Sequence, residues 1–164
     1  LITQPLWDGF LTRGRVRESE ATYRSLDYRV LDNATTLALD AIIAHIDVLR
    51  RAHILDLTEK HVARHKEILS KANDRASLGV DTVADVSQAQ GRFIRAKSTL
   101  SDAQAQYKIS QEAYYRLTML PAVNLGPVKP PSVMYNNANE VFEDAQKTNP
   151  KISAYMEDIK AARA

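Results

Sequence analysis

The chain has 164 residues, the length of a single domain, and its 45% apolar and 26% charged residues are typical of a folded rather than a disordered protein. The absence of cysteine excludes disulfide scaffolds, zinc ribbons and thiol catalysis. A formal net charge of +2 is too small to predict nucleic-acid binding. No apolar run reaches the roughly 18 residues that a transmembrane helix needs.

The distribution of Gly and Pro predicts two long helices. Residues 15–78 contain neither, and residues 80–120 contain only Gly91, whereas five Gly or Pro residues fall within 121–131. This pattern predicts one very long helix, a tight turn at Gly79, a second long helix and a Pro-rich connector at 121–137. Since globular helices average about 11–12 residues, helices of this length are typical of a coiled coil.

Heptad spacing in both segments predicts that they pack against each other. Steps of four and three residues from Val30 give fourteen positions, eleven of them apolar. The second segment has a seam in which large and small residues alternate. We expect an antiparallel hairpin with polar faces opposite the seam. The first seam is Val30, Ala34, Leu37, Ala41, Ala44, Val48, Arg51, Leu55, Thr58, Val62, His65, Leu69, Ala72 and Ala76; the second is Val86, Ala89, Phe93, Ala96, Leu100, Ala103, Tyr107, Ser110, Tyr114 and Leu117.

A second apolar stripe runs beside the first seam, so this stretch requires neighbours on two sides. A simple two-stranded rod would leave the stripe bare. We therefore expect the isolated chain to self-associate through it. The stripe consists of Leu31, Ala38, Ile42 and Leu49.

The two ends differ from the middle. Residues 1–7 are rich in β-formers and stop at the turn dipeptide Asp8-Gly9, which predicts a strand whose partner lies outside this chain. Residues 139–149 predict a short helix stopped by Pro150, and residues 151–164 predict the start of another. Both ends are expected to be cut from a longer protein. The predicted fold class is all-α, a long antiparallel coiled-coil hairpin with a strand remnant before it and short helices after it.

Six short motifs, in order along the chain, are similar to motifs of TolC-type outer membrane channel proteins. The chain resembles the end of repeat one and the start of repeat two of that family. The motifs are residues 1–9 (L-I-T-Q-P-L-W-D-G), residues 44–49 (A-H-I-D-V-L), residues 75–80 (R-A-S-L-G-V), Asp85 with Val86 and Ala89, Arg116-Leu117 before Pro121, and residues 148–152 (T-N-P-K-I).

The resemblance implies a homotrimeric channel-tunnel in the outer membrane of a Gram-negative cell, with no enzymatic activity. It places residues 1–9 at the end of a barrel strand and residues 10–120 in a periplasmic hairpin with its tip at 77–82. Residues 121–137 become a connector, and residues 138–164 open the second repeat. The implied partners are a periplasmic adaptor (membrane fusion) protein and an inner-membrane transporter. The cargo would be drugs or, as residues 1–9 favour, proteins exported by type I secretion.

The same resemblance assigns roles at the tip. Leu78, Gly79 and Val80 would contact the adaptor, although they reverse the Val-Gly-Leu order of some family members. Asp85 would line the pore gate, and Asp81, nearer the tip, would be insensitive to substitution. From the residues alone, Gly79 can also be a left-handed helix end that any hairpin would place there, although Leu and Val beside it favour a contact surface. Asp85 can equally stabilise a helix start with Thr82 as N-cap, and the two roles of Asp85 are compatible.

Other functions have less support in the sequence. A free-standing coiled-coil scaffold is the main alternative, but it leaves the strand unexplained. His61 and His65 are four residues apart, yet a metal site needs further ligands, and His65 falls on the seam, where a polar layer is expected. No phosphate loop or nucleophile elbow occurs and no carboxylate pair is set in a plausible pocket, so no catalytic, cofactor-binding or metal residue is assigned.

Overall fold

A computed structural model describes residues 7–130, 135 and 137–164, and this part of the chain contains four helices and no strand. They are α1 (Leu11–Ser77), α2 (Val83–Thr118), α3 (Ala138–Thr148) and α4 (Pro150–Ala162). The predicted all-α class and the long helical hairpin are confirmed. The strand predicted at residues 1–7 falls almost entirely outside the described residues. None of the described helices has the length and apolar character needed to span a membrane.

Pro150 has a different role from the one predicted. It does not simply terminate α3 but occupies the first position of α4, where its missing N–H is no loss. Asn149 lies between the two helices and caps both. Its N–H donates to the carbonyl of Ala145, and its side-chain oxygen accepts from the N–H of Lys151 at 2.9 Å. Helices α3 and α4 therefore follow each other without a loop.

Residues 40–129 form one compact unit, built from the second half of α1, α2 and the connector. The seam of α2 is confirmed from Val86 to Tyr114, since every one of its positions is buried or half-buried. Its small residues Ala89, Ala96 and Ser110 are the most buried, together with Val48 of α1. Small side chains at alternate seam positions allow the two helix backbones to approach closely.

The faces away from the seam are not uniformly polar, contrary to expectation. Ile43, Leu57, Ile94 and Ile109 are each more than half exposed on the hairpin. Single exposed apolar residues are ordinary, but repeated large ones along two helices mark surfaces that other helices can cover.

The connector packs back on the base of the hairpin. The Nε2 atom of His45 lies 2.8 Å from the carbonyl oxygen of Gly126, and since a carbonyl only accepts, this nitrogen carries the proton. The same imidazole meets the ring of Tyr114 edge-on, with the centroids 6.0 Å apart. A side chain of α1 therefore joins α2 and the connector.

The first half of α1 forms a second compact unit with α3 and α4. The seam predicted at Val30, Ala34 and Leu37 is wrong here, since Val30 is 67% exposed and Leu37 53% exposed. In this unit α1 instead buries Ala21 and Ser25. The heptad pattern assumed one partner along all of α1, whereas α2 ends at Thr118 and α4 packs against a different stripe.

Charged and polar side chains join α4 to α1. Arg24 pairs with the buried Glu157 at 2.8 Å. Asp158 accepts from the Ser25 hydroxyl and from Arg29. The pKa of Glu157 is lowered by two hydrogen bonds, of which that from Lys160 has the larger effect and that from Arg24 the smaller. The pKa of Asp158 is lowered mainly by the hydrogen bond from Ser25 and less by that from Arg29. Both carboxylates are therefore ionised at neutral pH and contribute to the contact.

Acidification should loosen α4 from α1. Because the two pKa values are lowered by folding, the stabilisation is fully present above the ordinary carboxyl range and is lost as pH falls through the depressed values. Hydrogen exchange of α4 amides, corrected for intrinsic rates, should show constant protection down to about pH 4 and a decline below it.

A matched pair of variants tests this interpretation. Glu157→Gln should reduce the protection of α4 at neutral pH and flatten its pH dependence. Glu67→Gln should leave α4 unchanged, because Glu67 pairs with Lys71 within α1. Equal protection of α4 in the Glu157→Gln variant and the parent chain would contradict a role for these contacts.

Candidate functional site

The turn between α1 and α2 is closed by backbone hydrogen bonds typical of a helix that ends at glycine. Gly79 has a φ of 74°, a left-handed conformation that costs glycine little. The N–H of Val80 donates to the carbonyl of Arg75 at 2.9 Å, and that of Gly79 to the carbonyl of Ala76 at 3.0 Å. This pair of bonds satisfies the last carbonyls of α1 and fixes the direction in which the chain leaves the helix.

Three large apolar side chains project from this turn. Leu78 is 78% exposed, Val80 64% and Val83 83%. We call these three residues the tip patch. The sequence singled out Leu78 and Val80 but missed Val83. The sequence could have indicated its exposure, because Val83 directly follows the predicted N-cap Thr82 and lies before the first residue of the α2 seam, Val86.

An ion pair across the turn was also missed. Arg75 Nη2 lies 2.9 Å from Asp81 Oδ1, and the Asp81 side chain is only 19% exposed. The carbonyl of Arg75 additionally accepts from the N–H of Val80. Arg75 therefore binds the two residues that follow Gly79, Val80 through its main-chain carbonyl and Asp81 through its side chain. Asp81 consequently cannot serve as a neutral control for Asp85.

Asp85 and Thr82 form a reciprocal cap at the start of α2. Asp85 Oδ2 accepts from the Thr82 hydroxyl at 2.6 Å and from the Thr82 N–H at 3.0 Å. In return, the Asp85 N–H donates to Thr82 Oγ1 at 3.2 Å. The two bonds from Thr82 lower the pKa of Asp85, with a smaller contribution from the charge of Arg75. Asp85 is thus a fixed negative charge, and the predicted helix-start role is confirmed.

The structure thus brings Leu78, Gly79 and Val80 together in one turn and places Asp85 in the helical turn that follows. Their predicted roles in adaptor contact and gating stay predictions. His61 and His65 lie elsewhere on α1 and are not part of the tip. The arrangement offers three exposed apolar side chains, with the carboxylates of Asp81 and Asp85 close by in sequence.

Comparison with known proteins places this hairpin in a family. The outer membrane efflux protein family matches residues 1–118, which include α1, the tip and all of α2. The chain belongs to that family. Outer membrane efflux proteins are a family of transport proteins rather than of enzymes. The resemblance to outer membrane channels inferred from the motifs is confirmed.

A curated relative agrees with the family. The chain is 26% identical over 161 residues to the outer membrane efflux protein BepC of Brucella suis biovar 1 (strain 1330). The match covers 98% of this chain but 35% of that protein, so the chain spans about a third of the relative's length. No solved structure matches the chain significantly.

Proposed function

We propose that this chain is the periplasmic hairpin segment of a homotrimeric outer membrane channel that exports drugs or proteins. The observation that carries the proposal is the tip, where a rigid turn presents three exposed apolar side chains at the end of a paired helical hairpin. Family membership over residues 1–118 supports a transport role. In this proposal residues 1–9 end a barrel strand, residues 10–120 form the hairpin, residues 121–137 connect, and residues 138–164 begin a second repeat.

The tip patch is the proposed docking surface for a periplasmic adaptor protein, which links the channel to an inner-membrane transporter. Three large exposed apolar side chains within residues 78–83 are typical of a surface that a partner covers. Gly79 and the Arg75–Asp81 ion pair hold the turn in one conformation, which lowers the entropy cost of binding. A free-standing coiled-coil scaffold has no need of a fixed apolar turn.

Asp85 is the proposed gate residue. Its lowered pKa keeps it charged, and both bonds from Thr82 end on the same oxygen, Oδ2. A cationic or hydrogen-bonding group on a neighbouring hairpin would therefore bind Oδ1. Three such charges around a common axis would form a ring that such partners hold closed.

The apolar residues on the outer faces of the hairpin are the proposed contacts with other helices of the assembly. Ile42 is 49% exposed and Ile43 55% exposed on α1, and Ile94 and Ile109 are similarly exposed on α2. A hairpin in a helical tube has neighbours on both sides, which would cover these residues. Self-association of the isolated chain through the stripe at Ala38, Ile42 and Leu49 stays a prediction.

Loss of the full-length protein tests the transport function. Cells that lack it should accumulate more of a fluorescent efflux substrate or fail to release a secreted protein, and the full-length gene should restore the parent behaviour. Increased accumulation alone would indicate drug efflux, and loss of secretion alone would indicate protein export. Unchanged accumulation and unchanged secretion would favour the scaffold alternative.

A further inference from the structure

Two histidines on α1 point at each other one turn apart. His61 and His65 are separated by four residues, and their Nε2 atoms lie 3.1 Å apart. The two rings are nearly perpendicular, at 83°, with centroids 4.5 Å apart. His61 is exposed and His65 half-buried. As neutral rings, one imidazole donates its Nε2 proton to the other.

We propose that this pair is a bidentate site for a divalent transition cation, with Cu²⁺ and Ni²⁺ preferred. The inference is independent of the proposed transport function. Imidazole nitrogens are good ligands for Cu²⁺, Ni²⁺ and Zn²⁺. A metal could bind both Nε2 atoms without a change in the helix backbone, once the donor ring has moved its proton from Nε2 to Nδ1 and both side chains have turned their Nε2 lone pairs towards the metal.

The distance between the two nitrogens is compatible with a chelate in which they occupy neighbouring coordination positions. With metal–nitrogen bonds of roughly 2.1 Å, a separation of 3.1 Å corresponds to an N–metal–N angle of about 95°. That angle is close to the 90° of tetragonal or octahedral coordination, which suits Cu²⁺ and Ni²⁺. Sites of nitrogen ligands also generally bind Cu²⁺ more tightly than Ni²⁺ or Zn²⁺.

The surroundings leave the site open on one side. Within the described residues, no group of three or more His, Cys, Asp or Glu side chains is arranged to hold a metal ion, so water would fill the remaining coordination positions. Lys60, next to His61, pairs with Asp56 at 2.7 Å. Arg64 and Lys66, in contrast, flank His65 and add positive charge that a bound cation must overcome. The site is therefore a surface chelate rather than a closed structural metal centre.

Titration of the chain with Cu²⁺ in a non-coordinating buffer tests the proposal. Calorimetry measures the affinity and the number of sites, and electron paramagnetic resonance measures the coupling of the metal to its nitrogen ligands. We expect one tight site per chain with hyperfine coupling to two nitrogens. His61→Gln and His65→Gln should each weaken that site by about tenfold or more, because the second imidazole binds intramolecularly at high effective concentration. Each variant should also reduce the coupling to one nitrogen.

His53→Gln is the matched control, since it removes a histidine from the same helix two turns away. It should leave the tight site unchanged, and circular dichroism should show equal helix content in all variants. Unchanged Cu²⁺ affinity in His61→Gln, or loss of the site in His53→Gln, would overturn the proposal. Tighter binding of Zn²⁺ than of Ni²⁺ would overturn the geometric preference.

Discussion

Asp85→Asn in the full-length protein should leave it folded and, with Asp85 as the proposed gate residue, raise the conductance of the closed channel. The amide oxygen of Asn can still accept the hydrogen bonds from Thr82, so the start of α2 is largely preserved. What disappears is the negative charge, once in each protomer of the proposed trimer. If those charges bind the groups that close the pore, their removal should let ions and large antibiotics pass. Bilayer conductance of the purified channel measures this directly.

Thr82→Ala separates the charge of Asp85 from its capping role. This variant removes the hydroxyl that binds Asp85 and should destabilise α2 by about 1 kcal/mol, yet the carboxylate remains. We expect no leak from Thr82→Ala and none from Asp85→Glu, which also keeps the charge. If Thr82→Ala leaks as much as Asp85→Asn, the helix start rather than the charge controls closure. If the Asp85→Asn variant had the same closed-state conductance as the parent protein, Asp85 would not be a gate residue.

The helices and their pairing were predictable because they depend on local and periodic signals. Residues 15–78 lack both Gly and Pro, and this absence located α1, while Gly79 located the turn. The alternation of large and small residues from Val86 to Tyr114 predicted the buried face of α2. Thr82 and Asp85 have the spacing of a reciprocal cap, which the structure shows. In each case the signal lies within one continuous segment of the chain, either as a local motif or as a pattern that repeats along one helix.

Contacts between distant segments were not predictable in this way. The spacing around Val30 satisfied the heptad rule, but α4 determines which face of α1 is buried in that unit, and it lies more than a hundred residues away. The Arg75–Asp81 ion pair depends on how the turn folds back. Nothing in the sequence of residues 75–81 indicates whether the two side chains pair or stay solvated separately. The convergence of His61 and His65 depends on rotamers, which spacing permits but does not specify.

Leu78→Asp in the full-length protein should abolish export by weakening the bond to the adaptor. Full burial of a Leu side chain contributes about 1.5–3 kcal/mol, so its loss should lower adaptor affinity about 10- to 100-fold. Leu78 is 78% exposed and lies in the turn, so the hairpin itself should keep its stability. Val83→Asp should have a similar but smaller effect, because Val offers less apolar area. Crosslinking or surface plasmon resonance with the purified adaptor measures the affinity, and a drug-susceptibility or secretion assay measures export.

Ala84→Asp is the matched control for an added charge at the tip. Ala84 is exposed in the first turn of α2, where a carboxylate is compatible with the helix N-terminus. It introduces the same charge within a few residues of Leu78 but removes only a methyl group. If apolar contact binds the adaptor, Ala84→Asp should retain most of the affinity that Leu78→Asp loses. Equal losses of affinity in the two variants would indicate that the adaptor responds to the added charge rather than to the lost apolar contact. If the Leu78→Asp variant bound the adaptor as tightly as the parent protein, the docking surface could not lie at the turn.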